Sequence, residues 1–119
     1  MKLHKAMRLG FETTKPRRHS YLSVNGVYAC PIGAAAKAVG LTSLEKDSME
    51  GYPKGLMKKF PILQRKLGVK RLADIVLKDE RASYHHYPDA TIHGTITMLF
   101  DIDKWSREQV ADLVEKWDL

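Results

Sequence analysis

The one cysteine of this chain, Cys30, stands directly before Pro31 at the start of a run of small apolar residues, where a helix is expected to begin. A thiol at a helix N-terminus feels the positive end of the backbone dipole, which is one route to a reactive thiolate. A nucleophile also needs a base held by a third group. His19, His85, His86 and His93 are present, but no spacing brings any of them to Cys30. Free cysteine is also among the most buried residue types, and Cys30 is read here as packing a junction. His85, His86, His93 and Asp89 contain the donor types of a metal site. Adjacent histidines point apart in extended chain, however, and no His-x₃-His helical pair exists, so no metal is expected. Phe100, Asp101 and Asp103 open like a calcium loop, but Ser106 replaces the glycine of the sixth position and Asp112 stands at the twelfth. There is no phosphate-binding glycine loop and no Gly-x-Ser-x-Gly. The expectation is a non-catalytic protein with no cofactor and no small-molecule ligand indicated.

Charge is the stronger signal. The net charge of +6 is concentrated in two stretches. Residues 1–18 carry Lys2, Lys5, Arg8, Lys15, Arg17 and Arg18 against Glu12. Residues 54–71 carry Lys54, Lys58, Lys59, Arg65, Lys66, Lys70 and Arg71 with no acid, and residues 101–119 are net acidic. Such polarity fits a surface that meets phosphates or an acidic partner. The binding candidates are Arg17, Arg18, Tyr21, Tyr28, Lys54, Lys58, Lys59, Arg65, Lys66, Lys70 and Arg71. A protein partner is the first expectation. The alternative is a nucleic-acid-binding regulator that uses residues 2–18 and 54–71. The final helix argues against its being a recognition helix, because Glu108, Asp112, Glu115 and Asp118 would repel phosphates in a groove.

The elements that position these residues follow from periodicity. Leu3, Ala6 and Met7 predict a helix over 2–9 with Gly10 as its left-handed stop. After the basic loop TTKPRRH, Asn25-Gly26 predicts a type I′ hairpin pairing Val24 with Val27, Ser23 with Tyr28, Leu22 with Ala29 and Tyr21 with Cys30. That register puts Leu22, Val24, Val27 and Ala29 on one apolar face and Tyr21, Ser23, Tyr28 and Cys30 on the other. Pro31 opens a helix that Gly40 closes, with a small apolar stripe of Ile32, Ala35, Ala36 and Val39 and with Leu41 folded back on Ala36. Thr42 and Glu45 have capping-box spacing for a short helix ending near Gly51. Leu56, Phe60, Leu63 and Leu67 form the next stripe, which Pro61 splits in two and Gly68 ends. A helix over 69–80 and a loop at ASYHHYPD follow. TIHGTITMLF fits either a helix or a strand by pattern, and its many β-branched residues favour a strand. Ser106 and Gln109 make a capping box, Trp105 and Val110 a hydrophobic staple, and Val110, Leu113, Val114 and Trp117 an apolar face.

Two segments, CPIGAA at 30–35 and ITMLFD at 96–101 followed by KWSREQVAD at 104–112, resemble a loose group of small uncharacterised phage and bacterial proteins. That group has a CALGA- or CPIGA-like motif and an ending similar to I-x-H-L-N-D-x-H-x-W-S-R-E-Q-I-A-D-W. The resemblance implies that the segment before Trp105 is helical and that the context is phage or prophage. It implies no activity. Where the pattern has His, Asn and His, this chain has Met98, Phe100 and Asp103, so a site built from those polar groups would be missing.

The 119 residues, 44% hydrophobic and 29% charged, predict one compact domain over 1–119. No apolar run of about 18 residues and no signal-peptide core occur, so a cytoplasmic protein without a membrane segment is expected, in the host cytoplasm if phage-encoded. The expected fold is α+β and mainly helical, with one N-terminal β-hairpin on a small helical bundle. The hairpin and the small-residue face of helix 31–39 are expected to pack on the last two helices.

Overall fold

A computed structural model describes residues 1–23, 25–41, 55–66 and 91–119. In chain order these form α1 (Leu3–Glu12), β1 (Lys15–Pro16), β2 (Tyr28–Ala29), α2 (Pro31–Ala38), α3 (Leu56–Lys59), a 3-10 turn (Pro61–Gln64), α4 (Ile92–Asp101) and α5 (Arg107–Lys116). The fold is mainly helical, as the periodicity predicts.

The first helix runs past its expected end. Gly10 is helical and buried, and a Cβ there would overlap the main chain of Ala34. Its role is therefore close approach of α1 to α2 rather than a left-handed stop. The helix ends two residues on, where Thr13 N–H and the Thr14 hydroxyl both reach the Gly10 carbonyl, at 3.3 and 2.6 Å. The small-residue face of α2 consequently packs most extensively on α1, a neighbour the sequence reading left out, and secondarily on α4 and α5.

The hairpin is corrected. The two-stranded sheet is parallel and pairs Lys15 with Tyr28 and Pro16 with Ala29, so part of the supposed basic loop is a strand. What survives of the hairpin is one antiparallel bridge, Leu22 to Ala29 in the expected register, with Ser23 N–H on the Tyr28 carbonyl and Cys30 N–H on the Tyr21 carbonyl. Local side chains explain the loss of the tight turn. Ser23 Oγ accepts the Tyr28 N–H at 3.0 Å, and Asn25 Oδ1 accepts the Ser23 hydroxyl at 2.6 Å and the Val27 N–H at 3.2 Å. Such short polar side chains compete with ladder hydrogen bonds. Gly26 is left-handed and Asn25 is not, which excludes type I′. Lys37 Nζ then ties the turn to α2 by donating to the carbonyls of Gly26 and Thr13. The expected division of faces fails as well: Ala29 and Cys30 are both buried, and Val27 and Tyr28 are both exposed. Val24 and its pairing lie outside the described residues.

The α2 boundaries hold. Pro31 is the first helical residue, Gly40 has φ 83°, and Leu41 N–H and Gly40 N–H bond the carbonyls of Ala36 and Lys37, the two bonds of a Schellman cap. Pro61 does divide its segment: α3 stops at Lys59, and Pro61 opens the 3-10 turn while Leu56, Phe60 and Leu63 stay buried. The segment whose β-branched residues favour a strand is instead helix α4, because its buried residues fall at helical and not alternating spacing. Thr91 caps it by accepting the Gly94 N–H at 3.0 Å, and Ile92, Thr95, Ile96, Leu99 and Phe100 are buried at helical spacing. In α5 the Ser106–Gln109 capping box is complete in both directions. Trp105, Val110, Val114 and Trp117 are buried in the same core as Leu3, Met7, Ile32, Leu56 and Leu99. The helix expected after Thr42, the end at Gly68, the helix over 69–80 and the ASYHHYPD loop lie outside the described residues.

Arg107 fastens this framework. It is buried at the start of α5, donates to Thr14 Oγ1 at 2.7 Å, to the Thr14 carbonyl at 3.0 Å and to the Ala29 carbonyl at 3.4 Å, and lies 4.5 Å over the Phe11 ring. A cation in the first turn opposes the helix dipole, so these oxygens and the aromatic face carry its stabilisation. No described helix is long and apolar enough to cross a membrane.

Candidate functional sites

Cys30 is the N-cap of α2. Its Sγ accepts the Gly33 N–H at 3.4 Å, and a Cβ at Gly33 would overlap the Tyr21 carbonyl, so the junction is closed by backbone contact. Burial opposes the helix dipole here and wins. It pushes the Cys30 thiol up to about 11, against the lowering effect of the Gly33 and Ile32 N–H groups. At neutral pH the group is a protonated thiol, a packing residue and not a thiolate.

Beside this junction lies a cavity of about 160 Å³ lined by Ser20, Tyr21, Cys30, Ile32, Thr97 and Asp101 among others. Tyr21 Oη and His93 Nε2 share a hydrogen bond of 2.9 Å near it. Burial lowers His93 to about 4, which keeps the imidazole neutral at pH 7, and burial raises Tyr21 to about 12. Of the proposed metal donors only His93 falls within the described residues, where no group of three potential ligands stands together.

The basic candidates separate by environment. Arg18 is an internal clip: its Nε donates to the Phe100 carbonyl at 2.9 Å, its Nη2 reaches the carbonyls of Lys104 and Trp105, and its guanidinium lies 4.7 Å over the Phe100 ring. Tyr21 is half-buried. Arg17 and Tyr28 are exposed and stacked at 5.8 Å. Lys58 and Lys59 on α3 and Arg65 and Lys66 just after the 3-10 turn are all exposed. Among the described residues Lys58, Lys59 and Arg65 form no ion pair. Arg8, by contrast, is neutralised by Asp112 and Glu115 of α5. Lys54, Lys70 and Arg71 lie outside the described residues.

Lys59 and Arg65 share a shallow groove of about 370 Å³ with the first residues of α1 and the last residues of the chain. Its apolar side chains are Met1, Leu3, Phe60, Pro61, Ile62 and Leu119, and its other charged side chains, Lys2 and Asp118, pair with each other. The Ile92 N–H on the Arg65 carbonyl and the Lys66–Thr91 bridge hold this basic turn against the start of α4. The groove was not legible in the sequence, because its walls come from three segments far apart in the chain. Asp101 was read only as part of a failed calcium loop. Its one local signal is an acid in the last turn of a helix, where the dipole disfavours it. Comparison with protein-family models, with curated proteins and with solved structures gives no match.

Proposed function

We propose that this chain is a small, non-catalytic, basic accessory protein that binds a protein partner through the groove at the basic turn. The observation that carries this reading is the groove itself, an apolar floor of Leu3, Phe60 and Ile62 bordered by Lys59 and Arg65, cations without a described ion-pair partner. Apolar burial supplies affinity and the rim selects charge, which fits an acidic peptide segment with apolar anchors. The protonated Cys30 thiol supports the non-catalytic part of the reading. The resemblance of CPIGAA and WSREQVAD to phage and bacterial proteins supports a phage or prophage origin, with a host or phage protein as the partner in the host cytoplasm.

The nucleic-acid reading keeps one observation in its favour, the exposure of Lys58, Lys59, Arg65 and Lys66 within nine residues. A display-library peptide selection, run on the protein and on a Lys59→Glu, Arg65→Glu variant, separates the two. Acidic, aromatic-containing peptides should be enriched by the first and lost from the second. In parallel, anisotropy of labelled duplex and single-stranded DNA should show no binding at physiological salt. Micromolar DNA binding that falls steeply with salt and drops smoothly with each lysine removed would replace the protein-partner reading by the nucleic-acid one.

A further inference from the structure

The cavity beside Cys30 lies apart from the basic groove and shares no residue with it. Its volume of about 160 Å³ is close to that of an engineered apolar cavity, about 150 Å³, that admits a benzene ring. Pro31, Ile32, Ile96 and Phe100 give it apolar walls. One lining group is out of character. The Asp101 side chain is only 16% exposed, yet Oδ1 accepts a single hydrogen bond, from the His19 main-chain N–H at 3.0 Å. The only described nitrogen within ion-pair reach of the carboxylate is His19 Nδ1, at 4.0 Å from Oδ2, and Lys104 Nζ donates to the Asp101 main-chain carbonyl at 2.8 Å instead. Arg18, next in sequence to His19, donates instead to the carbonyls of Phe100, Lys104 and Trp105.

A largely buried carboxylate requires a counter-charge or several donors, and at the C-terminal end of α4 the helix dipole opposes it further. Holding the His19 N–H on it also takes a left-handed backbone at a non-glycine residue, with φ 64°. Two other lining residues, Ser20 and Thr97, have buried hydroxyls with no hydrogen-bond partner among the described residues. A carboxylate short of donors, two unpartnered hydroxyls and apolar walls around a benzene-sized space specify one kind of occupant. We propose that the cavity binds a small organic cation, a protonated primary amine on a compact apolar body. Its ammonium would sit on Asp101 and its body between Ile32, Ile96 and Phe100.

Benzylamine is a suitable probe, being protonated at neutral pH as alkylamines are, and benzyl alcohol is its neutral counterpart of equal size. In a ¹⁵N–¹H NMR titration, benzylamine should give saturable shifts confined to the amides of Ser20, Tyr21, Ile32, Thr97, Asp101 and their neighbours. Benzyl alcohol should bind about tenfold more weakly, the difference expected of a charge-assisted hydrogen bond. Asp101→Asn should remove that preference while leaving alcohol binding unchanged. Equal affinity of wild type for amine and alcohol, shifts centred elsewhere, or no saturable shift at millimolar benzylamine would overturn the proposal. The amine-to-alcohol comparison on the unaltered protein decides the matter even if Asp101→Asn does not fold. The Lys59→Glu, Arg65→Glu variant should bind benzylamine as wild type does, which separates this cavity from the groove.

Discussion

Arg107 at the α1–β–α5 junction and Arg65 at the basic turn are the same side chain put to opposite uses. Arg107 is buried and wrapped by Thr14, the Ala29 carbonyl and the Phe11 ring, so its charge serves the fold. Arg65 is exposed beside an apolar groove, and among the described residues it forms no ion pair, so its charge remains available to a partner. Arg18 belongs with Arg107, since three main-chain carbonyls take its donors. The junction is therefore intolerant of change in a way the basic turn is not. A basic residue is a candidate for binding only once its donors are known not to be consumed inside.

The sharpest test of that contrast is at Gly33. A Cβ there meets the Tyr21 carbonyl, a main-chain atom that cannot swing aside. Gly33→Ala should destabilise the protein by at least about 3 kcal/mol, read from the urea midpoint at constant slope. Next in size, Arg107→Ala should cost about 2 to 3 kcal/mol, because it leaves buried oxygens without a donor. Lys58→Ala and Lys59→Ala should each move the same midpoint by less than about 0.5 kcal/mol. Equal effects in the two regions would erase the distinction.

A separate effect is expected from pH. Burial holds His93 at about 4 in the folded protein, against an ordinary value of 6.5. Below its unfolded value the unfolded chain binds a proton that the folded one does not, so this stabilisation is complete above pH 6.5 and is lost as pH falls toward 4. The loss across that window should be about 3 kcal/mol, and His93→Gln should flatten it. An unchanged acid limb in that variant would show that the imidazole is solvated. Its hydrogen bond to Tyr21 would then contribute little to the wall of helix α4.

Where a feature depended on neighbours in the chain, the residues specified it. The Schellman end at Val39 to Leu41, the Ser106–Gln109 box and the break at Pro61 are all made by groups within a few residues of one another, and all three are present. Asn25-Gly26 misled because Ser23 and Asn25 offer hydrogen bonds that a pairing rule does not count. At 91–100 the β-branched residues favoured a strand, and the burial of Ile92, Thr95, Ile96, Leu99 and Phe100 in the core makes the segment a helix instead.

The sequence by itself determined the mainly helical character, the ends of α2, the break at Pro61, the start of α5 and the charge polarity, since capping, φ restriction and side-chain period are local properties of the chain. Only the tertiary structure decided which glycines permit close approach, which arginines are buried, and where Asp101 and the basic turn find their surroundings. Those depend on segments such as Thr14 and Arg107, or Leu3, Ile62 and Leu119, that meet only when the whole core closes. No local preference encodes such a meeting, because its energy comes from burial shared among distant residues.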